Sequence, residues 1–235
     1  ADIAGAGTHP FLRNRCYGET AAQVCSLARA VADAHLAAGV LPVVKHLPGH
    51  GRATADTHHD LPRVTASRAD LAAHDFAPFK ALNDLPMAMT AHIIFAAYDE
   101  LHPATQSPEM IRVIRDEIGF QGLLMTDDLN MQALSGTLGE RTRASMAAGC
   151  DLALHCKGEM AEMLEVAEKA GDMRADTLVR AKAALARRTP PVPVDIAALE
   201  AVTLRHRADH GDHVEHLVVI GEVIRGDLVD ACLFL

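Results

Sequence analysis

The chain has 235 residues, of which 49% are hydrophobic and 23% charged, a composition that excludes a disordered, collagen-like or coiled-coil protein. Its apolar runs are far shorter than the roughly 20 residues of a membrane span, and no export signal opens it, so we expect no membrane partner. The net charge of -9 argues against a nucleic-acid partner, which requires a basic surface. The five cysteines lack framework spacing, which favours a reduced, cytoplasmic protein.

Short apolar runs alternate with longer amphipathic stretches along the chain. The runs predict strands at 41–45, 86–92, 122–126, 151–155 and 217–221, and the stretches predict helices near 20–38, 67–82, 107–118, 138–148, 159–170 and 175–187. Strands that alternate with helices are typical of βαβ units, so we predict an α/β fold with a mainly parallel sheet. The proline-rich segment at 189–193 predicts a boundary between a domain at 1–189 and a C-terminal segment at 190–235 of unclear role.

A turn of unusual composition follows the first predicted strand. It reads KHLPGHG at 45–51 and places Lys45 and His46 at the carboxyl end of that strand. Ligands of parallel α/β proteins bind outside the carboxyl ends of the strands. The turn therefore indicates either a ligand site or a polar βα connection with solvated charges.

A second segment pairs an acid with a histidine. Asp56 precedes His58 by two residues, so its carboxylate can accept the ring N–H and make the imidazole a better proton shuttle. A metal site is the alternative, built from the local histidines and acids, His46, His50, His58, His59, Asp56 and Asp60. No compact ligand motif is present, which disfavours the metal.

A third segment ends the predicted strand at 122–126 with two acids, Asp127 and Asp128. One of them is expected at the carboxyl rim of the sheet, where it acts on a ligand or caps the following helix. His92, at the end of a strand, is a further candidate for the same rim, and Arg15 is a lesser candidate in an early loop. Solvation of Arg15 and burial of His92 in the core are the corresponding structural alternatives.

These segments together resemble one family. KHLPGHG at 45–51, with DTH at 56–58 and LP at 61–62, is similar to the KHFPGHG…DSH…LP signature of the glycoside hydrolase family 3 β-N-acetylhexosaminidases (the NagZ type). The stretches at 89–92, 103–107 and 119–131 are similar to that family's MTAH, PATLS and GFxGxxxSDDLxM motifs, in the same order. RCYG at 15–18 resembles RSFG, and the resemblance spans about residues 8–170. Several long motifs in one order make the resemblance specific.

The resemblance implies a role for each matched residue. Asp127 matches the nucleophile, and His58 matches the general acid/base with Asp56 as its partner. The residues that match those holding an N-acetylglucosamine unit are Arg15, Lys45 and His46. Such an enzyme is retaining and works without a cofactor, because a carboxylate forms the glycosyl-enzyme and a proton donor serves the leaving oxygen.

The resemblance also implies a fold and a substrate. The expected fold is a (β/α)8 TIM-type barrel, N-terminally incomplete in this chain because the family's first strands and an upstream sugar-binding segment are not matched. The expected substrate is a small carbohydrate, N-acetylglucosaminyl-anhydromuramyl peptide from cell-wall recycling, acted on by a cytoplasmic monomer. Leu47 replaces the family's usual Phe, and Thr57 its Ser. Two other hypotheses stay open, namely a zinc-dependent hydrolase that uses the histidine cluster and an inactive partial barrel.

Overall fold

The computed structural model describes residues 1–190 and 195–201. Contacts within the chain separate a compact unit at 1–189 from a second unit that begins at Pro190. In the second unit, residues 196–201 are helical. The predicted strand at 217–221 lies outside the described residues, and the role of the segment 190–235 stays a prediction.

The first unit is built on short parallel strands. They are β1 (Val43–Leu47), β2 (Arg63–Val64), β3 (Met87–Thr90), β4 (Ile94–Phe95), β5 (Leu123–Asp128) and β6 (Leu152–Leu154). The main sheet has the order β1-β3-β5-β6, and β2 pairs separately with β4. All of these pairings are parallel, with Val43 opposite Met87 and Met87 opposite Leu123. The predicted α/β fold with a parallel sheet is confirmed, and within the described residues the sheet does not close into a barrel.

Helices connect the strands. They are α1 (Pro10–Arg13), α2 (Ala21–Ala37), α3 (Arg68–Asp70), α4 (Ala77–Ala81), α5 (Pro108–Arg112), α6 (Leu138–Ala148), α7 (Met160–Ala170) and α8 (Ala175–Ala186). The predicted helix at 67–82 is divided, because the π-helical turn Leu71–Asp75 separates α3 from α4. A second π-helical turn, Val113–Glu117, continues α5. No helix in the described ranges is long and apolar enough to cross a membrane.

The core draws on both the sheet and the helices. Val44 of β1 and Leu124 of β5 lie in one buried cluster with Phe79 of α4 and Met110 of α5. The fully buried Phe rings are its largest members, and each removes roughly 150–250 Å² from water. This core fixes the strands that carry the polar residues at their carboxyl ends.

A buried ionic cluster holds the amino end of β6. The Asp151 carboxylate is fully buried and accepts hydrogen bonds from Arg115 at 2.8 Å, Thr177 at 2.8 Å and Arg180 at 2.7 Å. It also accepts the backbone N–H of Leu124 at 2.9 Å. Burial raises the pKa of Asp151, but these donors outweigh burial and hold it below its usual value. The cluster joins β5, β6 and α8 at the end of the sheet opposite the polar turn.

The N-terminal segment packs against the turn that follows β1. A Cβ atom on Gly51 would lie 1.9 Å from the carbonyl oxygen of Ile3, so only glycine permits this approach. Thr8 Oγ1 donates a hydrogen bond to the Gly51 carbonyl. This close contact brings residues 1–4 beside the carboxyl end of β1.

Candidate active site

Lys45, His46 and Asp127 lie together at the carboxyl edge of the sheet. The three residues are buried, with 4%, 5% and 9% of their surface exposed. His46 Nε2 lies 3.7 Å from Asp127 Oδ2. In a parallel sheet the carboxyl ends of the strands meet at one edge, which explains why residues of β1 and β5 converge here. The predicted convergence of these residues at the rim is therefore present.

Asp127 is a buried carboxylate among polar side chains. Burial alone raises its pKa, but the neighbouring His46 and His92 outweigh burial, so the pKa of Asp127 lies below its usual value. The backbone N–H of Asp128 donates to Asp127 Oδ1 at 2.8 Å. Asp127 is thus ionised at neutral pH and has one oxygen, Oδ2, directed toward His46. An ionised carboxylate of this kind can act as a nucleophile or stabilise a cation.

His92 lies buried in the core, which is the structural alternative to a ligand contact. It is completely buried, and its Nε2 donates to the Asp128 carbonyl at 3.1 Å. Its Nδ1 lies 2.8 Å from Thr105 Oγ1. Burial lowers the pKa of His92, against the opposing charge of Asp127. His92 therefore supports the backbone that carries Asp127.

Asp2 is a site residue that the sequence analysis missed. Its buried carboxylate accepts the His46 Nδ1–H at 2.8 Å and the backbone N–H of His50 at 2.7 Å. Burial raises the pKa of Asp2, but the adjoining His46 outweighs burial and holds the pKa well below its usual range. The only local signal was weak: Asp2 is flanked by Ala1, Ile3 and Ala4, and an acid in such a segment needs a partner if the segment is buried.

Arg15 and Lys45 supply the positive charge of the site. Burial, aided by the like charge of Arg15, lowers the pKa of Lys45 to about 7, although Asp127 acts in the opposite direction. Arg15 is exposed, and its guanidinium carbon lies 5.1 Å from the centre of the Phe11 ring. Lys45 is thus partly protonated near neutral pH.

Asp56 and His58 form the predicted pair on a loop. His58 Nδ1 lies 2.7 Å from Asp56 Oδ1, which also accepts the His58 backbone N–H at 3.0 Å. The His58 side chain is 47% exposed. Its ring packs edge-on against Phe11, with the ring centres 4.8 Å apart. The pair leaves Nε2 of His58 as the nitrogen that can exchange a proton with a ligand.

The loop that carries His58 is held from two sides. Thr57 is buried, with its Oγ1 3.4 Å from His50 Nε2. The loop after β5 donates the Ala133 N–H to the Thr57 carbonyl and the Gln132 N–H to the His58 carbonyl, both at 3.2 Å. These contacts tie the Asp56–His58 pair to the segment that follows Asp127. Within residues 1–190 and 195–201, no hydrogen bond or ion pair joins His58 to Asp127 itself.

The histidines do not form a metal centre in the described part of the chain. No group of three or more histidine, cysteine, aspartate or glutamate side chains there is arranged to hold a metal ion. His46 and His50 instead pack their rings edge-on, with centres 5.1 Å apart. His59 and Asp60 are exposed. This arrangement gives the zinc hypothesis no geometric support.

The chain is similar to known proteins in both sequence and structure. A β-hexosaminidase of Alkalilimnicola ehrlichii is 41% identical over 157 residues, which are 65% of this chain and 45% of that protein. A family 3 β-N-acetylglucosaminidase of a Paenibacillus species superposes with a TM-score of 0.74 at 30% identity, covering 83% of this chain and 40% of that one. NagZ of Neisseria gonorrhoeae, solved with N-trifluoroacetyl-D-glucosamine, superposes with a TM-score of 0.67 at 29% identity, covering 86% and 57%.

The matches cover a larger share of this chain than of its relatives. The chain spans about half the length of the relatives that it matches, between 44% and 51% for the first four. The model of the glycosyl hydrolase family 3 N-terminal domain, in contrast, matches residues 1–187. That match includes Asp2, Lys45, His46, His58 and Asp127. The chain therefore belongs to glycosyl hydrolase family 3, in which its first 187 residues correspond to the N-terminal domain.

Proposed function

We propose that this chain carries the catalytic site of a retaining exo-β-N-acetylglucosaminidase. The observation that carries the proposal is the ionised, buried Asp127 beside His46 and Lys45, with the Asp56–His58 pair on a loop bonded to the segment after Asp127. Retaining hydrolysis needs a nucleophile and a separate proton donor, and these two groups supply them. The naming of the relatives as β-hexosaminidases and β-N-acetylglucosaminidases supports the same activity.

The mechanism assigns one task to each group. An Asp127 oxygen attacks the anomeric carbon and forms an ester while the glycosidic bond breaks, and protonated His58 gives its proton to the leaving oxygen. The neutral His58 then takes a proton from a water molecule, whose oxygen attacks the anomeric carbon and releases Asp127. Asp56 orients His58 and stabilises its charged form. Arg15, Lys45 and His46 hold the N-acetylglucosamine unit.

The finer parts of the proposal concern the substrate and the fold. A terminal N-acetylglucosamine on a cell-wall recycling fragment, the N-acetylglucosaminyl-anhydromuramyl peptide, is the proposed substrate. The solved complex of a NagZ with an N-acylated glucosamine supports the sugar part. The alternation of β1, β3, β5 and β6 with helices supports a (β/α)8 barrel as the complete architecture.

Trapping of the covalent intermediate tests the proposal. Fluorine at C5 of an N-acetylglucosaminyl fluoride slows both steps, but the good fluoride leaving group at C1 keeps formation of the ester fast relative to the attack of water, so the intermediate accumulates. We expect the intact mass to rise by one glycosyl unit and the label to lie on the peptide that contains Asp127. Asp127→Asn should abolish labelling, whereas Asp128→Asn should keep it, because the Asp128 side chain accepts the backbone N–H groups of Asn130 and Cys156 and an amide oxygen can accept them equally. A label on Asp128, or none on the wild-type chain, would refute the assignment.

A leaving-group series tests His58 separately. His58→Ala should lower the rate by roughly 10²–10⁴-fold for aryl glycosides with poor leaving groups, which need protonation. Aryl glycosides with acidic phenols should react with a burst of phenol followed by slow turnover. An equal loss for all leaving groups would remove His58 from the proton-transfer role.

A further inference from the structure

We propose that Asp2 is a positioning residue that holds His46 in the Nδ1-protonated tautomer, so that Nε2 accepts a hydrogen bond from a hydroxyl of the sugar bound beside Asp127. The inference rests on the proposed function for the identity of the ligand. The tautomer itself rests only on the contacts of Asp2 and His46.

The Asp2 carboxylate leaves His46 one tautomer. Asp2 is 5% exposed, and its Oδ2 lies 2.8 Å from His46 Nδ1. A carboxylate oxygen only accepts hydrogen bonds, so Nδ1 carries the proton. The other tautomer would set a nitrogen lone pair against a buried carboxylate oxygen at hydrogen-bond distance, an arrangement that loses the bond and leaves both groups unsatisfied.

The remaining nitrogen of His46 then faces a second acceptor. Burial lowers the pKa of His46 to about 4, although Asp2 acts in the opposite direction, so the imidazole is neutral at neutral pH. Its unprotonated Nε2 lies 3.7 Å from Asp127 Oδ2. These two atoms are both hydrogen-bond acceptors, and they are too far apart to bond to each other. An O–H group that lies to one side of this pair of atoms can donate to His46 Nε2 while its oxygen stays near the reacting carboxylate. A sugar hydroxyl has this chemistry.

Asp2 also fixes where the ring lies. Its Oδ1 accepts the His50 backbone N–H at 2.7 Å, and both oxygens lie 3.3 Å from the His46 backbone N–H. The charged and titratable groups that surround His46 are Asp2, Lys45, His50 and Asp127. Among them Asp2 alone contacts Nδ1, so the direction of Nε2 depends on this one carboxylate.

Asp2→Asn inverts the tautomer with little change of shape. The amide oxygen can keep the bonds from the His50 and His46 backbones in the place of Oδ1, and the amide nitrogen then replaces Oδ2. That N–H group would donate to His46 Nδ1, and the ring proton would move to Nε2. A rotated amide would instead set two donors against each other at the 2.7 Å contact with His50.

Nitrogen-15 spectra of the histidine side chains measure this directly. A variant, His46→Gln, identifies the His46 signals by their loss. We expect a protonated Nδ1 and an unprotonated Nε2 in the wild-type chain and the reverse in Asp2→Asn. The matched control is Asp56→Asn, which alters the other carboxylate–imidazole pair and should shift the His58 signals while those of His46 stay. A protonated Nε2 in the wild-type chain, or an unchanged His46 in Asp2→Asn, would overturn the proposal.

Fluorinated substrates test the role of Nε2. Aryl N-acetylglucosaminides with fluorine at C3, C4 or C6 can accept but cannot donate a hydrogen bond at that position. One of them should lose about tenfold in kcat/KM with the wild-type chain, as expected for one hydrogen bond, and about twofold or less with Asp2→Asn. The same penalty in both proteins would exclude His46 as the acceptor. If no aryl N-acetylglucosaminide is hydrolysed, the proposed function fails, and the spectra still decide the tautomer.

Discussion

The buried Lys45 should make the stability of the protein depend on pH. Its ammonium group lies in a position that is 4% exposed, and burial, with Arg15 nearby, lowers its pKa from 10.5 to about 7. In the unfolded chain the amine keeps its ordinary pKa. Between these two values the unfolded state binds a proton that the folded state lacks, so the free energy of unfolding increases as pH rises from about 7 to 10.5.

The size of the effect follows from the shift. The pKa falls from 10.5 to about 7, and each pKa unit corresponds to 1.36 kcal/mol, so Lys45 should contribute a rise of about 5 kcal/mol across this range. Other groups titrate in the same range, and a comparison with Lys45→Met isolates the lysine. We expect urea unfolding from pH 6 to 10 to show the wild-type stability rising relative to that of Lys45→Met, by about 1.4 kcal/mol per pH unit above pH 7.

Lys80→Met provides a control for this measurement. Lys80 is exposed in α4, so its removal should change the free energy of unfolding by a similar small amount at every pH. A constant difference between the wild-type chain and Lys45→Met from pH 6.5 to 9.5 would mean that Lys45 stays charged in the folded state. The reasoning from burial would then be refuted.

Three further substitutions probe other contacts. Arg15→Ala should lower kcat/KM by about 10- to 100-fold through the loss of one charged hydrogen bond to the sugar. If protonated Lys45 binds the sugar, activity should also fall at a higher pH in this variant than in the wild-type chain, because Arg15 helps to lower the pKa of Lys45; an unchanged pH profile would show that Arg15 does not act on Lys45. Asp151→Ala should cost about 3–5 kcal/mol in urea unfolding, because it leaves Arg115 and Arg180 without their buried partner, and a loss below 1 kcal/mol would contradict that account. Gly51→Ala should lower stability by about 1–3 kcal/mol or more, because its Cβ would meet the Ile3 carbonyl; an unchanged melting temperature would show that the N-terminal segment moves away.

The sequence predicted the parts of the fold that depend on local patterns. Strands β1, β3, β5 and β6 and the helices between them lie within a few residues of the apolar runs and amphipathic stretches that indicated them. The two-residue strands β2 and β4 were missed, because two residues contain no period to detect. The π-helical turn between α3 and α4 was missed for a related reason, since the sequence at 67–82 keeps a helical pattern through the turn.

In the site, too, the residues that were predicted are those that a local pattern indicates. The Asp56–His58 hydrogen bond was predicted from a spacing of two residues and is present at 2.7 Å. His46 and Asp127 were predicted at one rim, because each follows or ends an apolar strand. Asp2 was missed, because its partner His46 is 44 residues away in the chain and no local pattern links the two. The lowered pKa of Lys45 was also not predicted, since burial depends on neighbours that the sequence does not identify.

The structure places the two proposed reactive groups on elements of different kinds. Asp127 is the penultimate residue of the central strand β5, and it is fixed by His92, which bonds to the Asp128 carbonyl, and by the Asp128 N–H. His58 lies on a half-exposed loop that is held through Thr57 and the segment after Asp127 rather than through the reacting carboxylate. A nucleophile needs a constant position, because displacement at carbon depends steeply on distance. A proton donor must reach leaving groups of different shapes, and a loop permits that adjustment. The two demands together explain why the more buried acid, rather than the histidine, occupies the strand.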